Sequence, residues 1–470
     1  MIAKKVDELL ASLDGSVHVL DGRVAVSENA QVGKHAETLA FNAVFGEGLV
    51  RDTARWLLWE IGQEMGIFPA SIHELYMAIG RGEVAPTFTV PAINVRAMNF
   101  EMSRAIFRAA NKLDVGALIF EIARSEIGYT DQRPAEYVSC VLAAAIAEGF
   151  QGPLFIQGDH FQVSARGFAA DPEKEVAAVR DLMREAIDAG FYNIDIDTST
   201  LVDLSKETLD EQQRTNYTVS AALTEFARSI EPDGVTVSLG GEIGEVGEKN
   251  STVPELRAYM DGYRAALPAG VEGISKISVQ TGTSHGGVVL PDGTLAQVSV
   301  DFDTLRELSK VAREEYGLGG AVQHGASTLP PEAFDRFPAI GTLEIHLATG
   351  FQNIMFDYAP EELVRKANEY CLANLRKEWK EGKTEEQFLY STRKKSLGPL
   401  KAEWWNLDRE AKDRIGAALQ EQFEFLFEKL NVRDTRQVVL DVTSMPKRRR
   451  PRPQQAADEG ELQIASDLAD

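Results

Sequence analysis

A chain of 470 residues, 44% hydrophobic and 26% charged, has the composition of an ordinary water-soluble globular protein with room for one large core. Its formal net charge of −23 argues against a general nucleic-acid binder and against attraction to an anionic membrane, although a local cluster of donors could still hold a small anion. Its two cysteines, Cys140 and Cys371, are far apart and outside any CxxC pair, which argues against a disulfide framework and fits a reducing compartment.

The opening stretch MIAKKVDELLASLDG is amphipathic and lacks the apolar core of a secretory signal, and no stretch approaches transmembrane length. The expectation is a cytoplasmic protein. Residues 1–85 predict a mostly helical extension after a hairpin-like start, SVHVLDGRVAV, with ARWLLWEIGQEM and SIHELYMAIGRG among its helices. From residue 86, β-leaning runs alternate with amphipathic segments. Strands are predicted at 88–95, 116–123, 153–160, 193–199, 235–244, 274–285, 319–327 and 351–357. Several segments between them close on glycine, at Gly149, Gly190, Gly317 and Gly350. Eight such units predict an α/β fold of the (β/α)8 TIM-barrel type over residues 86–360. A doubly wound open sheet is disfavoured because no GxGxxG turn follows the first strand. A helical region is expected over 361–445, interrupted by the basic, aromatic stretch STRKKSLGPLKAEWWN, and a disordered, charged, Pro-rich tail over 446–470.

In such a barrel, chemistry sits at the C-terminal ends of the strands. Of seven histidines, His160 in QGDHF, His285 in GTSHGG and His324 in QHGAS fall at the ends of predicted strands three, six and seven. Imidazoles converging on one rim suit zinc or a similar divalent metal with one position left open. A lone histidine more often fills surface or core, and that is the reading for His18, His35, His73 and His346. The small residues of GTSHGG and HGAS let backbone approach a ligand, and their N–H groups with the Ser284 and Ser327 hydroxyls could hold a phosphate; an ordinary tight turn is the alternative.

With Asp-His after the third strand, GTSHG after the sixth and HGAS after the seventh, the chain resembles the class II, zinc-dependent ketose-bisphosphate aldolases over about residues 86–360. The resemblance implies a carbon–carbon lyase of carbohydrate metabolism, such as glycolysis. Its reaction would be reversible retro-aldol cleavage of a phosphorylated ketose, such as fructose or tagatose 1,6-bisphosphate, to dihydroxyacetone phosphate and an aldehyde. It implies His160, His285 and His324 as ligands of Zn2+ or another divalent metal, and Asp159 as the group that moves the proton of the hydroxyl at the cleaved bond. Glu242 matches the glutamate near the metal that precedes a mobile loop. Asn94, Gly286, Gly325, Ser327 and Asn353 of the predicted eighth strand are implied to hold the substrate and its phosphate, with a monovalent cation nearby. A small sugar phosphate and further copies of the chain, as a homo-dimer or tetramer, are the implied partners.

The chain also departs from that pattern. In the loop GEVGEKNST, Asn250 stands where the family carries the glutamate that exchanges the C3 proton; either Glu248 takes that step or it proceeds differently. NIMFD replaces a NIDTD ending, so Met355 and Phe356 stand for an acid and a hydroxyl residue. FEIARSEIGYT lacks the family's serine and, with GDH and the helix DPEKEVAAVRDLMREAIDAGF, is similar to the non-catalytic subunit of tagatose-bisphosphate aldolase. That relative lacks the second and third histidines, so their presence here favours an enzyme. The alternative is a barrel that stabilises or activates a partner aldolase. Another metal-dependent chemistry, such as hydrolysis, is disfavoured by the phosphate glycines. Glu121 and Arg124 either line the pocket or form a buried polar pair, and TRKKSLGPLK either reaches a second phosphate or is a solvated turn. No Schiff-base lysine is evident at the strand ends.

Overall fold

Short runs of Val, Ile and Phe between amphipathic helices become parallel strands buried on both faces, as a sheet wrapped in helices requires. The computed structural model describes residues 2–20, 22–27, 29–244, 249–282 and 299–454; Glu248, His285 and Gly286 lie outside the described residues. A hairpin of β1 (Val17–Leu20) and β2 (Arg23–Val26) comes first, and helices Asn29–Phe45 and Gly48–Met65 lead to β3 (Ile67–Ala70). The barrel is β4 (Val90–Asn94), β5 (Ile119–Ala123), β6 (Gly152–Gln162), β7 (Asn193–Asp197), β8 (Ser238–Glu242), β9 (Lys276–Val279), β10 (Ala321–Gln323) and β11 (Glu344–Leu347). Each strand pairs in parallel with the next, and β11 closes the ring on β4 through Glu344↔Val90 to Leu347↔Ile93.

Strands β4 to β10 lie where they were expected; the eighth does not. Residues 351–357 belong to the helix Thr349–Tyr358, which buries Phe351, Met355 and Phe356 on one face. The apolar run is helical in spacing, whereas the true strand, EIHL, carries polar Glu344 and His346 on its inward face. Asn353 therefore does not reach the barrel mouth from a strand. Its side chain donates to Tyr390 Oη at 3.0 Å and accepts from Arg393 at 2.7 Å. Gly350 is the second residue of this helix, not a helix stop, while Gly149 and Gly190 do cap their helices with φ of 65° and 112°.

The N-terminal extension is mostly helical, but β3 adds a strand to the barrel wall. It runs beside the first half of β6, from Ile67↔Gly152 to Ala70↔Phe155. Asn193 of β7 stitches it in, accepting from Ile72 N–H at 2.8 Å and donating to Ala70 and Ile156 carbonyls at 3.2 and 3.0 Å. The chain then turns under the barrel into the helix His73–Gly80, whose Tyr76 is fully buried. On the C-terminal side, the helix Arg409–Lys429 packs on Asn99–Lys112 and on Thr349–Tyr358, with the Phe351 and Phe423 rings 4.8 Å apart. Of the expected disordered tail, residues 446–454 lie along the helix Gly48–Met65. Trp56 and Trp59 donate to the Arg450 and Arg448 carbonyls at 3.0 and 2.6 Å, and Arg449 meets Glu60 at 2.7 Å. No helix among the described residues is long and apolar enough to cross a membrane.

Candidate active site in the barrel mouth

In a regular strand, neighbours point to opposite faces, so Asp159 and His160 should not share a site. At the end of β6 the register with β7 slips between Gly158 and Phe161, and His160 takes the left-handed value φ +40°. Such a bulge re-aims side chains, and holding a non-glycine residue at that φ costs on the order of 1–3 kcal/mol. Gly158 permits it, since a Cβ there would come 2.4 Å from the Phe161 ring. The bulge turns both polar residues into the mouth.

His160 Nδ1 lies 3.0 Å from Asp197 Oδ2 and 3.4 Å from Glu242 Oε2, at the ends of β7 and β8. His324, just past β10, sets its ring 4.3 Å from that of His160 and its Nε2 3.0 Å from Ser278 Oγ. His160, Glu242 and His324 each offer a ligand atom within 4.8 Å of the others, a mixed nitrogen and oxygen set that fits a divalent metal. Burial alone would strip the proton from His160, but Asp159, Glu242 and Asp197 hold it protonated well above the usual imidazole range. Burial and the neighbouring Asp197 push Glu242 up to about 7.

His346, read from the sequence as an ordinary histidine, belongs to the same mouth. Its ring is 4.0 Å from His324, and its Nδ1 is 3.0 Å from Glu121 Oε2 and 3.2 Å from Asp159 Oδ1. Burial, opposed by the neighbouring His346 and helped by the charge of Asp159, pushes Glu121 up to about 7. The missed signal was the alternation Glu-Ile-His-Leu, two polar residues two apart. Arg124 leaves Glu121 alone and instead reaches Glu175 at 2.7 Å. Below this layer, Lys276 at the start of β9 is fully buried between Asp195 (2.9 Å) and Glu344 (2.5 Å) and donates to Gln157 at 2.7 Å. Gly240 leaves room for the pair, because a Cβ there would fall 2.3 Å from Asp195 Oδ1 and 3.0 Å from Lys276 Cε. Lys276 is thus a barrel-core cation ion-paired with carboxylates, not a free amine at a strand end.

A cavity of about 250 Å³ opens above these groups, with Asn94, Asp159, His324 and His346 in its lining. Asn94 Oδ1 is buried without a hydrogen-bond partner among the described residues. Gly325 and Ser327 line one side, and the Ser327 hydroxyl accepts from Ala348 N–H at 2.6 Å, which brings the start of the helix Thr349–Tyr358 to the rim. Also in the lining are Arg96, held by Glu126 at 2.7 Å and bonded to Gln352 of that helix at 3.0 Å, and Lys394 from the turn Arg393–Ser396. Lys394 has no carboxylate within 4.0 Å among the described residues; burial, then Arg96, lower its pKa. Of the predicted site residues, the fold brings together Asn94, Asp159, His160, Glu242, His324, Gly325 and Ser327, and leaves Asn353 behind the wall.

The sequence profile of the family described as Fructose-bisphosphate aldolase class-II matches residues 84–397. Among curated proteins, none matches the chain significantly. Solved structures with this fold include a "probable tagatose 6 phosphate kinase" from Sinorhizobium meliloti 1021, with 16% identity over 73% of this chain and 100% of that one, at a TM-score of 0.54. A fructose-bisphosphate aldolase from Campylobacter jejuni has 18% identity over 78% of this chain and 97% of that one, at a TM-score of 0.47. At 16% identity the likeness to the Sinorhizobium structure is one of fold alone.

Proposed function

The chain belongs to the class II fructose-bisphosphate aldolase family, and from that premise we propose that it cleaves a phosphorylated ketose reversibly, with a ketose 1,6-bisphosphate as substrate. The observation that carries the reading is the convergence of His160, Glu242 and His324 beside Asp159 in one barrel mouth. Those three residues would hold a divalent metal, with His285 as a further candidate, and the ion would polarise the substrate carbonyl as a Lewis acid. Asp159 accepts the C4 hydroxyl proton as the C3–C4 bond opens, and returns it in the condensation direction. The Asn94 carboxamide oxygen, without a partner among the described residues, accepts from a substrate hydroxyl. Gly325, Ser327 and the N-terminal peptide groups of the helix Thr349–Tyr358 hold one phosphate. Glu248 remains the candidate for proton exchange at C3.

The test is cleavage of fructose and tagatose 1,6-bisphosphate by the isolated chain before and after chelation. Turnover is expected to vanish with the metal and return with added Zn2+. Activity that survives complete metal removal would sink the reading, and turnover by the isolated chain excludes a purely non-catalytic barrel subunit. Because the carboxylates keep His160 protonated, metal binding must displace a proton, so affinity for Zn2+ is expected to rise with pH, with proton release visible by calorimetry.

Lys394 supports a bisphosphate over a monophosphate, since a half-buried ammonium without a carboxylate partner among the described residues suits a second anionic group. Lys394→Met is expected to raise KM for the bisphosphate by about 10–100-fold, as loss of a charge-assisted hydrogen bond would. KM for a ketose 1-phosphate should stay put; equal effects on both would remove Lys394 from substrate recognition.

A further inference from the structure

The first 85 residues are not merely packed outside the barrel: one side chain of the extension enters its floor. Tyr76, on the helix His73–Gly80, is fully buried and donates its hydroxyl proton to Glu344 Oε2. The other oxygen of that carboxylate, Oε1, lies 2.5 Å from Lys276 Nζ and 2.7 Å from His346 Nε2. With Nε2 committed to Glu344, Nδ1 of the same ring is left facing Glu121 at 3.0 Å and Asp159 at 3.2 Å. A continuous chain of polar contacts therefore runs along the barrel axis, from the extension to the carboxylate at the mouth.

We propose that Tyr76 is a positioning residue for proton transfer at Asp159, acting through Glu344 and His346. The inference rests on the reading of Asp159 as the group that moves the substrate proton. Two features separate it from simple plugging of the barrel. Sealing the floor needs only an apolar ring, and a phenylalanine would fill the same space. A floor built from Tyr76, Lys276, Asp195 and Glu344 instead takes charge out of water, which is costly and seldom adds stability over an apolar core. The second feature is the strand itself. Glu344 and His346 are two apart on β11 and share its inward face, so the hold that Tyr76 and Lys276 have on Glu344 fixes the imidazole directly above it.

What the chain supplies to Asp159 is orientation. Asp159 keeps its pairing with Ala123 of β5, but on the β7 side the register slips between Gly158 and Phe161 and the left-handed His160 follows, so only one of its two ladders helps to fix the side chain. The imidazole of His346, reaching over from β11, gives its carboxylate a fixed partner at 3.2 Å. A carboxylate that must take a proton from a hydroxyl needs to be held within hydrogen-bond reach and in line, and small misplacements there cost rate far more than binding. The extension thereby becomes part of the working site although none of its described residues lines the cavity.

Tyr76→Phe in the metal-loaded full chain tests this, because it keeps the ring and deletes one hydroxyl. With fructose and tagatose 1,6-bisphosphate as probes, kcat is expected to fall about tenfold or more, the size expected for a lost hydrogen bond to a charged group, with KM and bound metal unchanged. In a His346→Gln background the same change should lower kcat no further, since the link it acts through is already cut. If Tyr76→Phe does not accumulate in folded form, Glu344→Gln cuts the same link, and the same kcat-specific loss is expected. Wild-type kcat in Tyr76→Phe, loss of its metal, or full multiplicative loss in the double variant would overturn the positioning role. A wild-type chain that cleaves neither sugar overturns the aldolase reading and this inference with it; a wild type that cleaves while Tyr76→Phe matches it overturns this inference alone.

Discussion

Replacing His324 with alanine is expected to remove cleavage and the divalent metal together, with kcat/KM falling by at least about 10³-fold, because the electrostatic help of a bound cation is worth several kcal/mol. His324 is the central imidazole of the mouth, 4.3 Å from the His160 ring and 4.0 Å from that of His346. Without it, His160 and Glu242 are left as a two-residue remnant of the donor set among the described residues. The carboxylates around them would still attract cations, but with fewer ligands and no fixed geometry. Metal analysis of the purified variant and its turnover on fructose and tagatose 1,6-bisphosphate check this. A variant that keeps full metal yet loses turnover would assign His324 to substrate contact instead, and one that keeps turnover would remove the metal centre from this mouth.

The parts of the site that were legible in the sequence share one property: each follows an apolar run long enough to read as a buried strand. GPLFIQ announces β6 and so gives meaning to Asp159 and His160, and the GGAV before QHGAS does the same for His324. β11 hid because half of its four residues, Glu344 and His346, are polar and face inward, while the more apolar FQNIMF next to it is a helix. His346 was lost with its strand. β3 hid for a related reason, being four residues of IFPA after a long helix, recognisable only once Asn193 and β6 are in place to pair with it. The barrel-axis chain from Tyr76 to Asp159 could not be read at all, since Tyr76 and Glu344 alone lie 268 positions apart and the members meet only through closure of the ring. Pattern reveals which faces are buried; it does not reveal which buried polar groups find each other.

Asp159→Asn separates the metal from the proton. The carboxamide has nearly the same shape and can still meet His346 Nδ1, now 3.2 Å from Oδ1, but it cannot accept the C4 hydroxyl proton. The expected result is a kcat lower by about 10²–10⁴-fold, the usual contribution of a positioned general base, with KM changed little and metal content retained. Retention follows from the donor set of His160, Glu242 and His324, which the substitution leaves intact. It should also loosen the hold on the His160 proton, because Asp159 is foremost among the charges that oppose burial there. Easier loss of that proton and the lost attraction of a carboxylate for a cation offset each other, so metal content is expected to stay near that of the wild type, unlike the His324→Ala outcome. If kcat stays within a few-fold of wild type, the proton goes elsewhere. Glu121 would be the next residue to replace, since it meets the same His346 nitrogen at 3.0 Å and burial keeps its carboxyl up at about 7. The pair of variants thus distinguishes a mouth in which Asp159 moves the proton from one in which Asp159 only helps to set the charge around the metal.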